Sequence, residues 1–346
     1  MKVGLLVSRS GPAGLWAPTT EACTMMAVAE LNARGGVAGR AVTLDIADAG
    51  MSEAAARSAA DALLTIDEVD AVIGMHPSNV RAAIAAEIGG RVPYVYAPMY
   101  EGGERSRAVL PIGSTDAELL HHAIPRLMAE RHAGRFFIVG NDYVWPRLGA
   151  LSAARIVAAH GGRLVGARLM PFGQSDAPLV MEALRRARAD VVITLLLGAE
   201  SVAFNRAFAA AGLDRGMLRL GLATDETVLY GGGISCHEDL YTVTTYTADQ
   251  AGGREENFRE LYRNCYGAAM PLATVFGRSC YDSVHLLASL SGARQGKRGG
   301  RGALQQQFSS LAHAGTPRRA LAAMLGSAPP LLHLAKAEGF IFRLCG

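Results

Sequence analysis

No stretch of the 346-residue chain is apolar for long enough to cross a membrane as a helix, which takes about 20 consecutive residues. Cysteine is scarce and unpaired: Cys23, Cys236, Cys265, Cys280 and Cys345 are odd in number and form no CxxC. That excludes a disulfide framework and leaves them as mostly free thiols, with no paired ligands for zinc. His121-His122 and Cys236-His237 are adjacent pairs, and side chains one apart do not share a helix face. These histidines therefore read as surface residues, and neither metal nor cofactor is expected. An excess of one charge is also missing. The 34 basic and 31 acidic residues leave a net +3, which is no electrostatic footprint for nucleic acid. The one basic cluster, Arg294-Gln-Gly-Lys297-Arg298-Gly-Gly-Arg301, is broken by glycines and reads as a solvated loop. Catalytic signatures are absent too: there is no GxSxG, HExxH or P-loop. "SRSGPAG" carries only Gly11 and Gly14 where a dinucleotide-binding turn needs three glycines. The chain is not expected to be an enzyme. No secretory leader is visible, because Met1-Lys2 runs straight into the strand-like "VGLLVSRSGP". A cytoplasmic location is expected, or a periplasmic or cell-surface one if a leader has been trimmed.

What is present is ordinary for a folded protein, with half the residues hydrophobic and 19% charged. Strand and helix signals alternate from the start. Val3 to Val7 reads as a strand. Trp16 to Ala33 reads as a helix stopped by Gly35-Gly36. "AVTLDIAD" follows as a strand, then an alanine-rich helix that Ser52 can cap. "DAVIG", "VPYVYAP" and "RAVLPIG" are further strands, with Ser78 or Asn79 able to cap the helix after the first. The rhythm repeats. A helix from Asp116 to Glu130 leads to strand "RFFIVG", and a helix with Pro146 in its first turn runs to His160. Strands "RLVGARLM", "DVVITLLL", "LRLGLA" and "LYTVTTY" follow with helices between them. Residues 254–325 read as mostly helical, and "PLLHLAKAEGFIFRL" as a closing hairpin.

This pattern predicts an α/β fold of two doubly wound parallel-sheet lobes. Ligands of such sheets bind beyond the carboxyl ends of strands. That rule selects "SRSGP", "GMHPSN", "YAPMYEG", "GNDYVWP", "LLGAES" and "ATDET".

The order and spacing of these segments resemble the type I periplasmic-binding-protein family, the leucine/isoleucine/valine-receptor-like proteins. "AVAELNARGGVAGRAVTLDIADAGMSEAAARSAADALL" looks like that family's first helix, glycine turn, second strand and second helix. "VDAVIGMHPSNVRAAI" looks like its third strand and helix. "YAPMYEG" and "GNDYVWPR" are similar to the amide- and urea-binding branch, which includes the amide receptors that regulate aliphatic amidase expression. The resemblance implies a Venus-flytrap: two lobes, a multi-strand hinge, and a small ligand clamped between them. The N-terminal lobe would take residues 1–115 plus 248–328, and the C-terminal lobe 116–247 plus 329–346. It also implies a cytoplasmic sensor that negatively regulates amide or nitrile catabolism, partnered by an RNA-binding antiterminator. The alternative is the solute-binding component of an ABC importer for amides, urea or branched-chain amino acids, partnered by a membrane permease. A homodimer is compatible with either.

Residue by residue, Ser78 matches the serine that bonds the ligand, Tyr96 a pocket-lining tyrosine, and Tyr143 a ligand-bonding tyrosine of the second lobe. Four positions depart from the branch. Trp145 stands where it usually has tyrosine, as does His76. Pro98 replaces a threonine, removing a hydroxyl, and Met99 replaces a proline. These seven residues are the expected ligand site. The Trp145 N–H could supply one donor there. The changes suggest a less polar pocket than acetamide needs. An amino acid is disfavoured, because its two charges would need partners in a closed cleft. Asp142, Glu101, Asp225 and Glu226 are the candidate partners for an ammonium group.

Overall fold

In a computed structural model of the chain, the residues described are 1–106, 108–174, 176–250, 252–267, 270, 272–292, 304–305, 308, 311 and 330–345. The basic cluster at 294–301, and most of the expected helical stretch beyond 292, lie outside them.

Two sheets organise the molecule. The first is built from β1 (Lys2–Val7), β2 (Thr43–Asp48), β3 (Ala71–Met75), β4 (Tyr94–Tyr96) and β5 (Val109–Pro111), in the order β2-β1-β3-β4-β5. All its pairings are parallel. Helices α1 (Ala17–Ala33), α2 (Glu53–Thr65) and α3 (Ser78–Ile88) connect the first four strands. The side chains of β1 show why both faces must be covered. Val3, Leu5 and Val7 pack in one core with Cys23 and Met26 of α1, while Leu6 packs in another with Ala60 and Leu63 of α2. Burying a leucine or valine in this way contributes about 1.5–3 kcal/mol.

After β5 the chain enters α4 (Asp116–Arg131), which opens with a capping box between Thr115 and Glu118. The second sheet follows. It comprises β6 (Arg135–Asn141), β7 (Arg163–Met170), β8 (Val191–Leu195), β9 (Leu218–Gly221), β10 (Leu240–Thr244), β11 (His333–Glu338) and β12 (Ile341–Leu344). Its order is β12-β11-β10-β9-β8-β6-β7. The connecting helices are α5 (Val144–Ala159), α6 (Ala177–Ala187), α7 (Gly198–Ala210) and α8 (Glu226–Gly232). From β7 to β10 the order repeats that of the first sheet, so two copies of one winding face each other. The expected terminal hairpin is present. The terminal hairpin β11-β12 adds antiparallel to β10, making the second sheet mixed. The short turn between β11 and β12 is possible because they pair antiparallel, whereas parallel neighbours need a crossover.

From β10 the chain turns back, and α9 (Gly253–Tyr266) and α10 (Val275–Gly292) lie along α1. The molecule is thus two α/β lobes of the Venus-flytrap type. Two local expectations are corrected. Neither Ser78 nor Asn79 caps α3: Pro77 holds the cap position, and Ser78 is the first helical residue. His237 is buried, not exposed, with its ring nitrogens against the carbonyls of Leu229 and Gly339.

Candidate functional site

In each sheet the winding direction reverses between the first strand and the third, that is at β1/β3 and at β6/β8. Beyond the carboxyl ends of such strands the loops diverge and leave a crevice. The two crevices face each other. Val7 ends β1, His76 to Ser78 follow β3, and Pro98 and Met99 follow β4. Opposite them Tyr143 and Trp145 follow β6, Leu197 follows β8 and Ala223 follows β9. All of these line one cavity. The seven residues singled out from the sequence, Ser78, Tyr96, Tyr143, Trp145, His76, Pro98 and Met99, are all in its wall. Sequence reasoning missed Trp16 and Phe276, whose rings lie 4.6 Å apart on the same wall. Trp16 follows the flagged "SRSGP" turn, so its place was within reach of the strand-end rule. Phe276 comes from α10, far along the chain, and nothing local marks it.

The cleft is shut. Trp16 Nε1 donates to Asp225 Oδ1 at 3.1 Å, joining the first lobe to the cap of α8 in the second. Gly198, at the start of α7, lies so close to the first lobe that a Cβ there would meet the Pro12 carbonyl oxygen at 2.5 Å. Closure leaves Tyr143 and Trp145 buried.

Around the cavity, most polar hydrogens are already committed. Ser78 Oγ donates to Glu101 Oε2 at 2.7 Å and accepts from Arg81 Nη1 at 3.1 Å. Tyr96 Oη donates to the His76 carbonyl at 2.8 Å. His76 holds Pro77 O and Tyr94 Oη with its two ring nitrogens. A carbonyl only accepts, so Nδ1 carries the hydrogen and Nε2 receives the Tyr94 hydroxyl. Burial lowers the His76 pKa to about 4, so the ring is neutral. The Trp145 N–H is not free for a ligand, which corrects the expectation. It donates to Asp116 Oδ1 at 2.9 Å. The Tyr143 hydroxyl, in contrast, has no hydrogen-bond partner among the described residues. Burial raises its pKa well above the ordinary value, as do Tyr96 and the nearby carboxylates, so it stays a neutral donor and acceptor.

Charge is kept behind the wall. Arg81, at the mouth, bonds Glu101 and Glu104 at 2.6 and 2.9 Å and lies 4.8 Å over the Tyr96 ring. Burial opposes its charge, but Tyr96, Glu101 and Glu104 outweigh that and hold it protonated. None of the candidate ammonium partners lines the cavity. Asp142 pairs with Arg147 on the surface, Glu101 with Arg81, Asp225 caps α8, and Glu226 accepts from the Ala248 N–H. Among the described residues no group of three or more histidines, cysteines or carboxylates could hold a metal.

Two lobes of repeated winding, closed on an uncharged cavity, define a small-molecule receptor. The chain belongs to the periplasmic binding protein family, whose model matches residues 1–303. Among solved structures it is similar to a solute-binding protein of an ABC transporter from R. palustris in complex with 4-hydroxybenzoate. That pair shares 20% identity over 100% of this chain and 96% of the other, with a TM-score of 0.83. It is also similar to a branched-chain amino acid transporter substrate-binding protein from Streptococcus pneumoniae, in complex with isoleucine. There the identity is 17%, the coverage 99% and 97%, and the TM-score 0.82. A second R. palustris solute-binding protein, in complex with benzoate, matches at 19% identity over 100% and 95%, with a TM-score of 0.79. At such identities these likenesses establish the fold.

Proposed function

We propose that the chain is the solute-binding component of an importer and carries a small, uncharged, amide-bearing ligand to a membrane permease. Its lobes are taken as residues 1–115 plus 248–328 and 116–247 plus 329–346. One observation carries the ligand class. The hydroxyl hydrogens of Ser78 and Tyr96 are committed to protein acceptors, so these oxygens meet a ligand as acceptors. The Tyr143 hydroxyl is the free donor opposite them. An amide supplies N–H groups to the first and a carbonyl to the second. A carboxylate has no N–H to give, and no lysine or arginine lines the cavity to receive it. An amino acid would leave both its charges unpaired, at a cost of several kcal/mol.

The importer role draws on the solute-binding relatives and places the protein in the periplasm or at the cell surface. The comparisons lend nothing to the cytoplasmic location first expected. A second reading, the amide sensor that holds an antiterminator, draws on "YAPMYEG" and "GNDYVWPR", both of which contribute to the cavity wall. Either role requires a ligand that prefers the closed form, since only differential affinity shifts a population. The deciding experiment is calorimetry with short amides, urea, benzoate and isoleucine. Amide binding that Ser78→Ala and Tyr143→Phe both weaken supports the reading. Tight isoleucine or benzoate binding without amide binding overturns it. Co-purification with a permease rather than an RNA-binding protein separates the two roles.

A further inference from the structure

The ring content of the cavity and the fate of its one indole donor narrow the ligand further. Trp16, His76, Tyr96, Tyr143, Trp145 and Phe276 all face this one space. Aromatic residues other than histidine make up only 6% of the chain, so the wall is strongly enriched. Asp116 explains the role of Trp145. It is the first residue of α4 and is fully buried. One carboxyl oxygen receives the indole N–H at 2.9 Å, and the other has no hydrogen-bond partner among the described residues. Gly149 of α5 leaves room for that second oxygen, since a Cβ there would come within 2.7 Å of it. Burial pushes the Asp116 pKa well above the ordinary range against the pull of the Trp145 bond, so the group is held as a neutral acid. A neutral carboxyl accepts the N–H without adding charge behind the cavity. With its donor turned away, the indole offers the cavity only apolar ring surface. Tyr143, whose ring centroid lies 6.1 Å from that of Trp145, is left as the polar contact from this strand end.

Resting on the amide reading above, we propose that the ligand is an aryl amide, its flat ring laid against Trp145, and that Asp116 is the positioning residue that holds the indole there. The polar end of such a molecule meets Ser78 and Tyr143, and its apolar body meets Trp16, Trp145 and Phe276. A short aliphatic amide satisfies the polar end and leaves the aromatic wall uncovered. An aryl carboxylate covers the wall and lacks the N–H groups.

The test is calorimetry with benzamide, acetamide and benzoate against the full chain. Benzamide is expected to bind at least about tenfold tighter than acetamide and than benzoate. Asp116→Asn keeps an acceptor for the indole and is expected to keep that preference. Asp116→Ala is expected to shrink the benzamide-to-acetamide ratio to about threefold or less while circular dichroism stays that of a folded protein. Trp145→Tyr, which leaves Asp116 intact, is expected to narrow the ratio in the same direction and decides the matter should Asp116→Ala not fold. Acetamide binding as tightly as benzamide overturns the aryl preference and leaves the amide reading standing. Benzoate matching benzamide, or a ratio unchanged in both Asp116→Ala and Trp145→Tyr, also overturns the inference. Binding of none of the amides overturns both readings.

Discussion

Replacing Trp16 by phenylalanine removes one N–H from the molecule and with it the bond that joins the two lobes at Asp225. The change is narrow. Phenylalanine keeps a ring against Phe276, and Asp225 keeps its donors in its own lobe, the Thr227 N–H at 3.1 Å, the Val228 N–H at 3.4 Å and the Thr227 hydroxyl. The cap of α8 therefore survives, and the carboxylate is not left bare. What is lost is a hydrogen bond to a buried carboxyl that exists only when the cleft is shut. Such bonds contribute about 1.5–3 kcal/mol, and the remaining donors place this one near the lower end. A loss of about 1.5 kcal/mol moves the open-to-closed ratio roughly tenfold toward open. If the free protein is mostly open, the benzamide dissociation constant rises by the same factor. Small-angle scattering of the free and ligand-saturated protein reads the closure, and calorimetry reads the affinity. Trp145, then the only tryptophan, reports the site by fluorescence. A double-mutant cycle with Asp225→Ala isolates the pairwise contribution. The reasoning is refuted if Trp16→Phe leaves both the scattering and the affinity at wild-type values.

Other perturbations act on separate parts of the same device. Ser78→Ala and Tyr143→Phe are each expected to weaken amide binding about five- to tenfold without lowering the thermal midpoint by more than a few degrees, measured by calorimetry and by melting. Gly198→Val forces a side chain onto the Pro12 carbonyl, so the variant is expected to fold, stay open in scattering and lose high-affinity binding. Burial pushes the Glu226 carboxyl up to about 7 from an ordinary 4.5, so the folded state holds its proton over that window while the unfolded state releases it. Stability therefore falls as pH rises from 4.5 to 7 and levels off above, by about 3 kcal/mol at most. Glu226→Gln is expected to flatten this part of the profile in urea titrations at pH 4.5, 6 and 8.

The parts legible in the sequence were those fixed by local rules. Apolar runs and glycine stops placed the central strands, because a strand buried on both faces, as β1, β3, β6 and β8 are, reads as an apolar run. The strand-end rule then picked the loops that carry His76, Ser78, Tyr143 and Trp145. The missing parts needed contacts across the chain. Trp16 meets Asp225 over 209 positions, and Phe276 reaches the cavity from a helix that packs on α1. No periodicity announces either. The use of each donor was equally hidden. Trp145 reads as a ring with a spare N–H until Asp116, 29 residues earlier, is brought beneath it. Ser78 reads as a cap until Pro77 is found in that position.

The same accounting explains why the charges beside the cavity do not recruit a charged ligand. Arg81 is one cation among two carboxylates, Glu101 and Glu104, and its guanidinium is buried against two tyrosine rings, Tyr96 and Tyr100. An anion in the cavity would have to compete with Glu101 and Glu104 for a group that already satisfies both. Breaking a buried pair of this kind costs about 3–5 kcal/mol, and the incoming carboxylate incurs its own desolvation penalty besides. Ser78 sits between that network and the cavity, donating to Glu101 and receiving from Arg81. Its oxygen is polarised from behind and left with acceptor capacity in front. Charge at this site therefore orients a hydroxyl rather than binding a counter-ion, and the ligand that benefits is a neutral hydrogen-bond donor. Arg81→Lys tests this directly. Lysine cannot bridge Glu101, Glu104 and Ser78 with a fixed planar fork, so amide affinity is expected to fall while benzoate gains nothing. Benzoate binding that is strong in the wild type and falls in Arg81→Lys would show that the guanidinium is available to the cavity after all.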